Sequence, residues 1–287
     1  MTKEQIKIIE CPRDAMQGLK EFIPTEKKIA YLQALLKVGY DTIDCGSFVS
    51  PKAIPQMADT AEVIRSLDLS ETQTKLSVIV ANKRGALEAS EFPQVNCLGF
   101  PFSISETFQL RNTNSTIEKA LDRVKAIREI TARKNKEFVV YLSMAFGNPY
   151  NDPWSLDIIE HWISELSKLG IRHISLSDTI GVAGPDELTY CFEELCPVFE
   201  EIEFGAHLHT HPHNWRPKVE ASFKNGCKRF DGAIRGFGGC PMAKDELVGN
   251  MPTENLIAYF EENNIPTGLD KAAFAEAQKM ALEVFPV

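Results

Sequence analysis

Four of the six histidines fall within seven residues, His207, His209, His211 and His213, at the end of an apolar run reading Ile-Glu-Phe-Gly-Ala-His-Leu-His. In a strand, alternate side chains share a face, so His207 and His209 would point the same way about 7 Å apart along the backbone, near enough to grip one metal ion. A half-exposed polar pair at a strand end is the plainer reading, and spacing alone leaves both open. Asp14, in Pro12-Arg13-Asp14 after an earlier apolar run, would complete a mixed set of one carboxylate and two imidazoles. Such a set leaves coordination positions for substrate on a divalent ion. Mg2+ or Mn2+ suits two chelating substrate oxygens, and nitrogen ligands also admit Zn2+. Taken alone, Asp14 reads equally well as a turn or helix-capping aspartate. Arg13 is either a surface charge or a guanidinium placed to stabilise a developing enolate oxygen.

These residues are far apart in sequence, so the elements that carry them must converge. Short β-rich apolar runs alternate with longer amphipathic ones from end to end, the pattern of repeated βα units around a parallel sheet. Strands are expected near 5–11, 40–46, 74–81, 94–101, 137–144, 171–177, 202–209 and 229–234. Helices are expected at Thr25 to Val38, Thr116 to Lys134 and Leu156 to Leu169, among others, with Gly39 and Gly170 as left-handed caps. Eight βα units in about 265 residues predict an α/β fold, a TIM (β/α)8 barrel with a C-terminal helix after residue 268 closing one end. A doubly wound open sheet is the runner-up. The whole of 1–287 reads as one catalytic domain without a linker, and 236–250 as a mobile cysteine loop within it. In a barrel the chemistry collects where strands run out. Five of the eight predicted strands end that way, in Pro12-Arg13-Asp14, Asp44-Cys45-Gly46-Ser47, Ser177-Asp178-Thr179, His207-Leu208-His209 and the run toward Gly238-Gly239-Cys240-Pro241.

Composition narrows the partners. A formal charge of −9 leaves no broad cationic face for nucleic acid, so a phosphorylated small ligand would need a local cluster of Lys and Arg. The N-terminus enters a strand-like run at once and no stretch of 18 apolar residues occurs, from which a cytoplasmic protein without membrane association is expected. The seven cysteines are scattered and never spaced C-x-x-C, so neither a disulfide framework nor a structural zinc site is indicated.

The segments Pro12-Arg13-Asp14-Ala15-Met16-Gln17, Asp44 to Lys52, Ser177 to Gly181, His207-Leu208-His209 and Gly238-Gly239-Cys240-Pro241 together resemble 3-hydroxy-3-methylglutaryl-CoA (HMG-CoA) lyase, in register from about residue 8 to 268. The resemblance places the chain in a wider group of TIM-barrel metal-dependent aldol and Claisen enzymes. It implies an acyl-CoA substrate and retro-Claisen cleavage of HMG-CoA into acetyl-CoA and acetoacetate, chemistry of leucine breakdown and ketone-body formation. It also implies roles: Asp14, His207, His209 and Asn250 as metal ligands, with Glu254 behind them, and Arg13 as the enolate stabiliser. Cys240 would be the acid or proton shuttle, Asp178 and Asp44 further catalytic carboxylates, and Lys20 a contact to CoA. Cys240 as a plain loop thiol and Asn250 as a helix cap are the structural alternatives.

The chain departs from that family in three places. The family's His-x-His-Asp becomes His209-Thr210-His211-Pro212-His213, two extra imidazoles in place of an acid. Ala15-Met16 and Cys11 replace smaller residues around the first motif, which is expected to narrow the site. The cysteine loop is one residue longer, with Asp245 and Glu246 inside it. These put the exact acyl-CoA in question more than the reaction. A related aldol lyase or decarboxylase on another 3-hydroxy or 2-oxo acid, a Claisen-type acyltransferase, and a non-catalytic binding barrel are the competing readings. Oligomeric state is left open, a homo-oligomer included.

Overall fold

The computed structural model describes residues 6–239 and 248–285. Eight strands, β1 (Lys7–Glu10), β2 (Thr42–Ser47), β3 (Lys75–Ile79), β4 (Val95–Ser103), β5 (Glu137–Ser143), β6 (His173–Asp178), β7 (Glu203–Leu208) and β8 (Arg229–Gly232), close into a barrel in sequence order. All pairings are parallel, and β1 bonds to both β2 and β8, so no edge is left open and the doubly wound alternative is excluded. Each expected strand stretch carries one.

The helices are α1 (Pro12–Gln17), α2 (Thr25–Leu36), α3 (Thr60–Ser66), α4 (Lys83–Ser90), α5 (Glu106–Thr113), α6 (Ile117–Lys134), α7 (Leu156–Lys168), α8 (Pro185–Val198), α9 (Trp215–Lys224), α10 (Thr253–Glu262) and α11 (Lys271–Val284). Side-chain caps start two of the three predicted ones, Thr116 accepting from the amide of Lys119 and Ser155 from that of Ile158, whereas α2 follows Pro24 with no such cap. Gly39 and Gly170 follow helices at φ of +84° and +80°, as the left-handed cap requires. The C-terminal helix differs in placement from expectation. It packs along α2, with Phe285 edge-on to Tyr31 and stacked on Phe237, so it thickens the outer layer and does not close an end.

Strand alternation sorts each residue to the helix layer or the barrel interior. On β5, Phe138, Val140 and Leu142 join the outer core, while Val139 and Tyr141 face inward with Ile79 and Cys97. On β7, Phe204, Ala206 and Leu208 face the helices, which turns His207 and His209 into the barrel mouth. Truncating one of the buried outward residues, such as Leu142, removes about 2–5 kcal/mol of packing. This outer layer therefore sets the angle at which the inward polar residues are held. No helix among the described residues is long and apolar enough to cross a membrane.

Candidate active site and metal centre

One ligand atom each from Asp14, His207 and His209 lies within 4.8 Å of the others. Asp14 arrives because β1 runs out at Glu10 and Pro12, with its preset φ, opens the short helix α1 two residues later. Asn250 comes from much further along the chain. Its segment runs antiparallel to the end of β7, with a bridge between His209 and Asn250 and bonds from Thr210 N to Gly249 O (2.9 Å) and Met251 N to Leu208 O (3.0 Å). Its Nδ2 then donates to Asp14 Oδ2 at 2.8 Å, so all four expected ligands meet at one point.

The donor chemistry fits a divalent cation. Burial would raise the Asp14 carboxyl, but the Arg13 guanidinium, helped by His207 and His209, outweighs it and holds the group below its ordinary value. Burial and the neighbouring His207 push His209 down to about 4, leaving its ring neutral with a free lone pair. His207 Nδ1 lies 3.1 Å from Asp231 Oδ2, and this contact, against the effect of burial, raises the imidazole. An acceptor on one ring nitrogen orients the other toward a metal. Asp231 is a candidate site residue that the sequence did not single out; its only signal is an aspartate inside a short strand, Arg229–Gly232.

Arg13 is held on both sides. Its Nε and Nη2 fork onto Asp44 Oδ2 at 2.9 and 2.5 Å, and Nη1 donates to Asp14 Oδ1 (2.8 Å) and Gln17 Oε1 (2.9 Å). These four bonds leave one of the five guanidinium N–H groups without a partner among the described residues. Asp44 sits on the inward face of β2 with no exposure, and its Oδ1 has no partner among the described residues. Burial raises its carboxyl, against the pull of Arg13.

Asp178 ends β6 with the parity of Ile174 and Leu176, which face the helices, so it stands behind the mouth of the barrel. Its Oδ1 accepts from the amide of Ala183 (3.1 Å) and its Oδ2 from Lys218 Nζ (2.6 Å). Burial raises this carboxyl too, with the Lys218 pair opposing. Lys218, on α9, gave no sequence signal, since a lysine in an amphipathic helix normally lies in solvent.

The remaining expected residues are less central. Glu254, in the first turn of α10, accepts from the amide of Arg235 at 2.9 Å and so braces the turn after β8. Lys20 is exposed beyond α1, in a surface hollow shared with Phe22, Lys27 and Phe285. Cys240, Asp245 and Glu246 lie outside the described residues. His211 and His213 stack with rings 5.6 Å apart and nearly parallel, in the turn leading to α9, and neither belongs to a metal-ligand cluster among the described residues. Met16 lines a small cavity with Leu32, Cys45 and Met57, away from the mouth, so it does not narrow the site as expected. Cys11 does reach inward: its thiol lies within 4.8 Å of His207 and Asp231.

Residues 5–281 match the HMGL-like family. The cytoplasmic 3-hydroxy-3-methylglutaryl-CoA lyase of Danio rerio is 33% identical over 278 residues, covering 95% of this chain and 81% of that protein. The hydroxymethylglutaryl-CoA lyase YngG of Bacillus subtilis is 30% identical over 268 residues, 93% of this chain and 89% of that one. Among solved structures, an Acinetobacter baumannii HMG-CoA lyase in complex with coenzyme A and 3-methylmalate superposes with a TM-score of 0.90 at 30% identity, covering 99% of this chain and 92% of that chain.

Proposed function

Because this chain belongs to the HMGL-like family, we propose that it is a carbon–carbon lyase that cleaves HMG-CoA to acetyl-CoA and acetoacetate with a divalent metal. The observation that carries the metal-dependent mechanism is the convergence of Asp14, His207, His209 and Asn250 beside a guanidinium with one N–H unpartnered among the described residues. When bound there, Mg2+ or Mn2+ supplies Lewis acidity toward substrate oxygens.

The chain's own groups do the rest. The C3 hydroxyl passes its proton to water, the C2–C3 bond breaks with its electron pair passing into the thioester enolate of acetyl-CoA, and C3 becomes the ketone carbon of acetoacetate. Arg13 meets the enolate oxygen with its remaining N–H, and its bonds to Asp44, Asp14 and Gln17 hold the guanidinium in place. The Cys240 thiol delivers a proton to C2, so one proton leaves and one returns. Asp44 and Asp178 act by fixing the cations Arg13 and Lys218, and Lys20 meets a CoA phosphate. The Danio rerio relative is named cytoplasmic, which accords with a cytoplasmic site of action.

The test is purified protein with Mn2+ or Mg2+ and HMG-CoA, following acetoacetate. Product that EDTA abolishes and metal restores is the expected result. No acetoacetate, together with turnover of another acyl-CoA or hydroxy acid, would refute this substrate and keep the reaction class.

A further inference from the structure

Lys218 is 1% exposed, one of the largest fully buried side chains in the protein. Its ammonium has three N–H donors, and each has an acceptor: Asp178 Oδ2 at 2.6 Å, the carbonyl of His209 at 2.9 Å and the carbonyl of Gly181 at 3.0 Å. Those acceptors belong to two different strand ends, so the single charge ties the exit of β6 to the exit of β7. One of the carbonyls is that of a metal-ligand histidine.

The Gly181 turn has a second contact with the site. Gly181 adopts φ +72°, and a Cβ there would lie 2.7 Å from Val248 Cγ1, so Val248 rests directly on the turn. Val248 stands two residues before Asn250, whose own position is set by the bridge to His209. The ammonium therefore reaches His209 through its carbonyl and Asn250 through both the bridge and Val248. Asp14 arrives from the end of β1 and is not one of the three acceptors of the ammonium.

We propose that Lys218 is a positioning residue of the metal centre, locking His209 and Asn250 into one geometry by joining the Asp178 carboxylate to the backbone of both strand ends. This rests on the metal-dependent lyase reading above, but it concerns ion binding and does not depend on which acyl-CoA is cleaved. Asp178 thereby acts as the counter-charge that keeps Lys218 in the wall. Without it the ammonium has no reason to stay out of water.

The experiment measures Mn2+ affinity of the substrate-free protein by electron paramagnetic resonance of free Mn2+, for the native chain, Lys218→Met, Asp178→Asn and the double variant. Lys218→Met should raise the Kd by about 10- to 100-fold, as loss of groups behind metal ligands does. The double variant should bind no more weakly than Lys218→Met alone, because the two residues act as one unit. Should Lys218→Met not fold, Lys218→Gln, which keeps donors for the two carbonyls but not the charge, carries the measurement with the same expected rise. A folded variant with a Kd within about twofold of native, or losses that add in the double variant, would overturn the proposal. Because no substrate is present, a chain that fails to cleave HMG-CoA yet shows the coupled loss refutes the substrate and leaves this role standing.

Discussion

Glu10 offers the sharpest test of how the barrel wall is built. It lies on the outward face of β1 with no exposure, its Oε1 accepting from the amide of Ile234 (2.8 Å) and its Oε2 from Thr253 Oγ1 (2.5 Å). It thus ties Ile234 to Thr253, the two residues that flank the stretch carrying Asn250. Burial pushes its carboxyl up from 4.5 to about 8, with the two hydrogen bonds opposing and Glu254 adding to the rise. The folded state therefore holds this proton where the unfolded chain has lost it. That contribution is fully present below about pH 4.5, declines as pH rises, and is gone above about pH 8. A shift of this size corresponds to about 5 kcal/mol over the whole window, of which about 4 kcal/mol falls between pH 5 and 8.5. Glu10→Gln keeps an acceptor for Ile234 and cannot ionise. Its stability advantage over the native chain should grow by about 4 kcal/mol between those pH values, roughly 6–7 °C in Tm for a chain of this size. Calorimetric unfolding of both proteins in EDTA, so that metal binding plays no part, measures the gap. Parallel stability curves for the two proteins, or a gap that narrows as pH rises, would refute the reasoning.

Two further outcomes test the site itself. Asp231→Asn replaces the acceptor that orients His207, so Mn2+ affinity by titration calorimetry should fall about 10- to 100-fold with the fold intact by circular dichroism, and an unchanged Kd would contradict the assignment. Arg13→Lys exchanges a fork on Asp44 for a single ammonium that cannot span Asp44, Asp14 and Gln17 together. Its kcat for HMG-CoA cleavage should drop by about 100-fold or more at saturating metal, whereas a loss under about fivefold would remove the guanidinium from the chemistry.

The strand ends were readable because alternation and turn residues are local. His207 and His209 share a face by parity alone, and Pro12 stops β1 where Asp14 is needed. Asn250 came only from the family resemblance, since nothing local says that a segment 41 residues after His209 returns to pair with it. Asp178 marks where a strand-end rule overreached. It does terminate a strand, but its parity sends it to the helix side, where it meets Lys218 instead of the barrel mouth. The extra histidines carry the opposite lesson. His211 and His213 continue the alternating pattern in sequence, yet the chain leaves the strand after Leu208 and turns toward α9, so the parity no longer applies.

By itself the sequence determined the period of each element, the number of βα units and the residue types brought to each strand end, because these depend on contacts within a few residues. Tertiary structure alone decided which charges became partners. Arg13 takes Asp44 from the neighbouring strand, His207 takes Asp231 from β8, and Lys218 spans two strand ends from a helix outside the barrel. A charge buried in the barrel wall is tolerated only where a counter-charge or hydrogen-bonding groups arrive from elsewhere in the chain, and that arrival is set by barrel closure and not by any short stretch of residues.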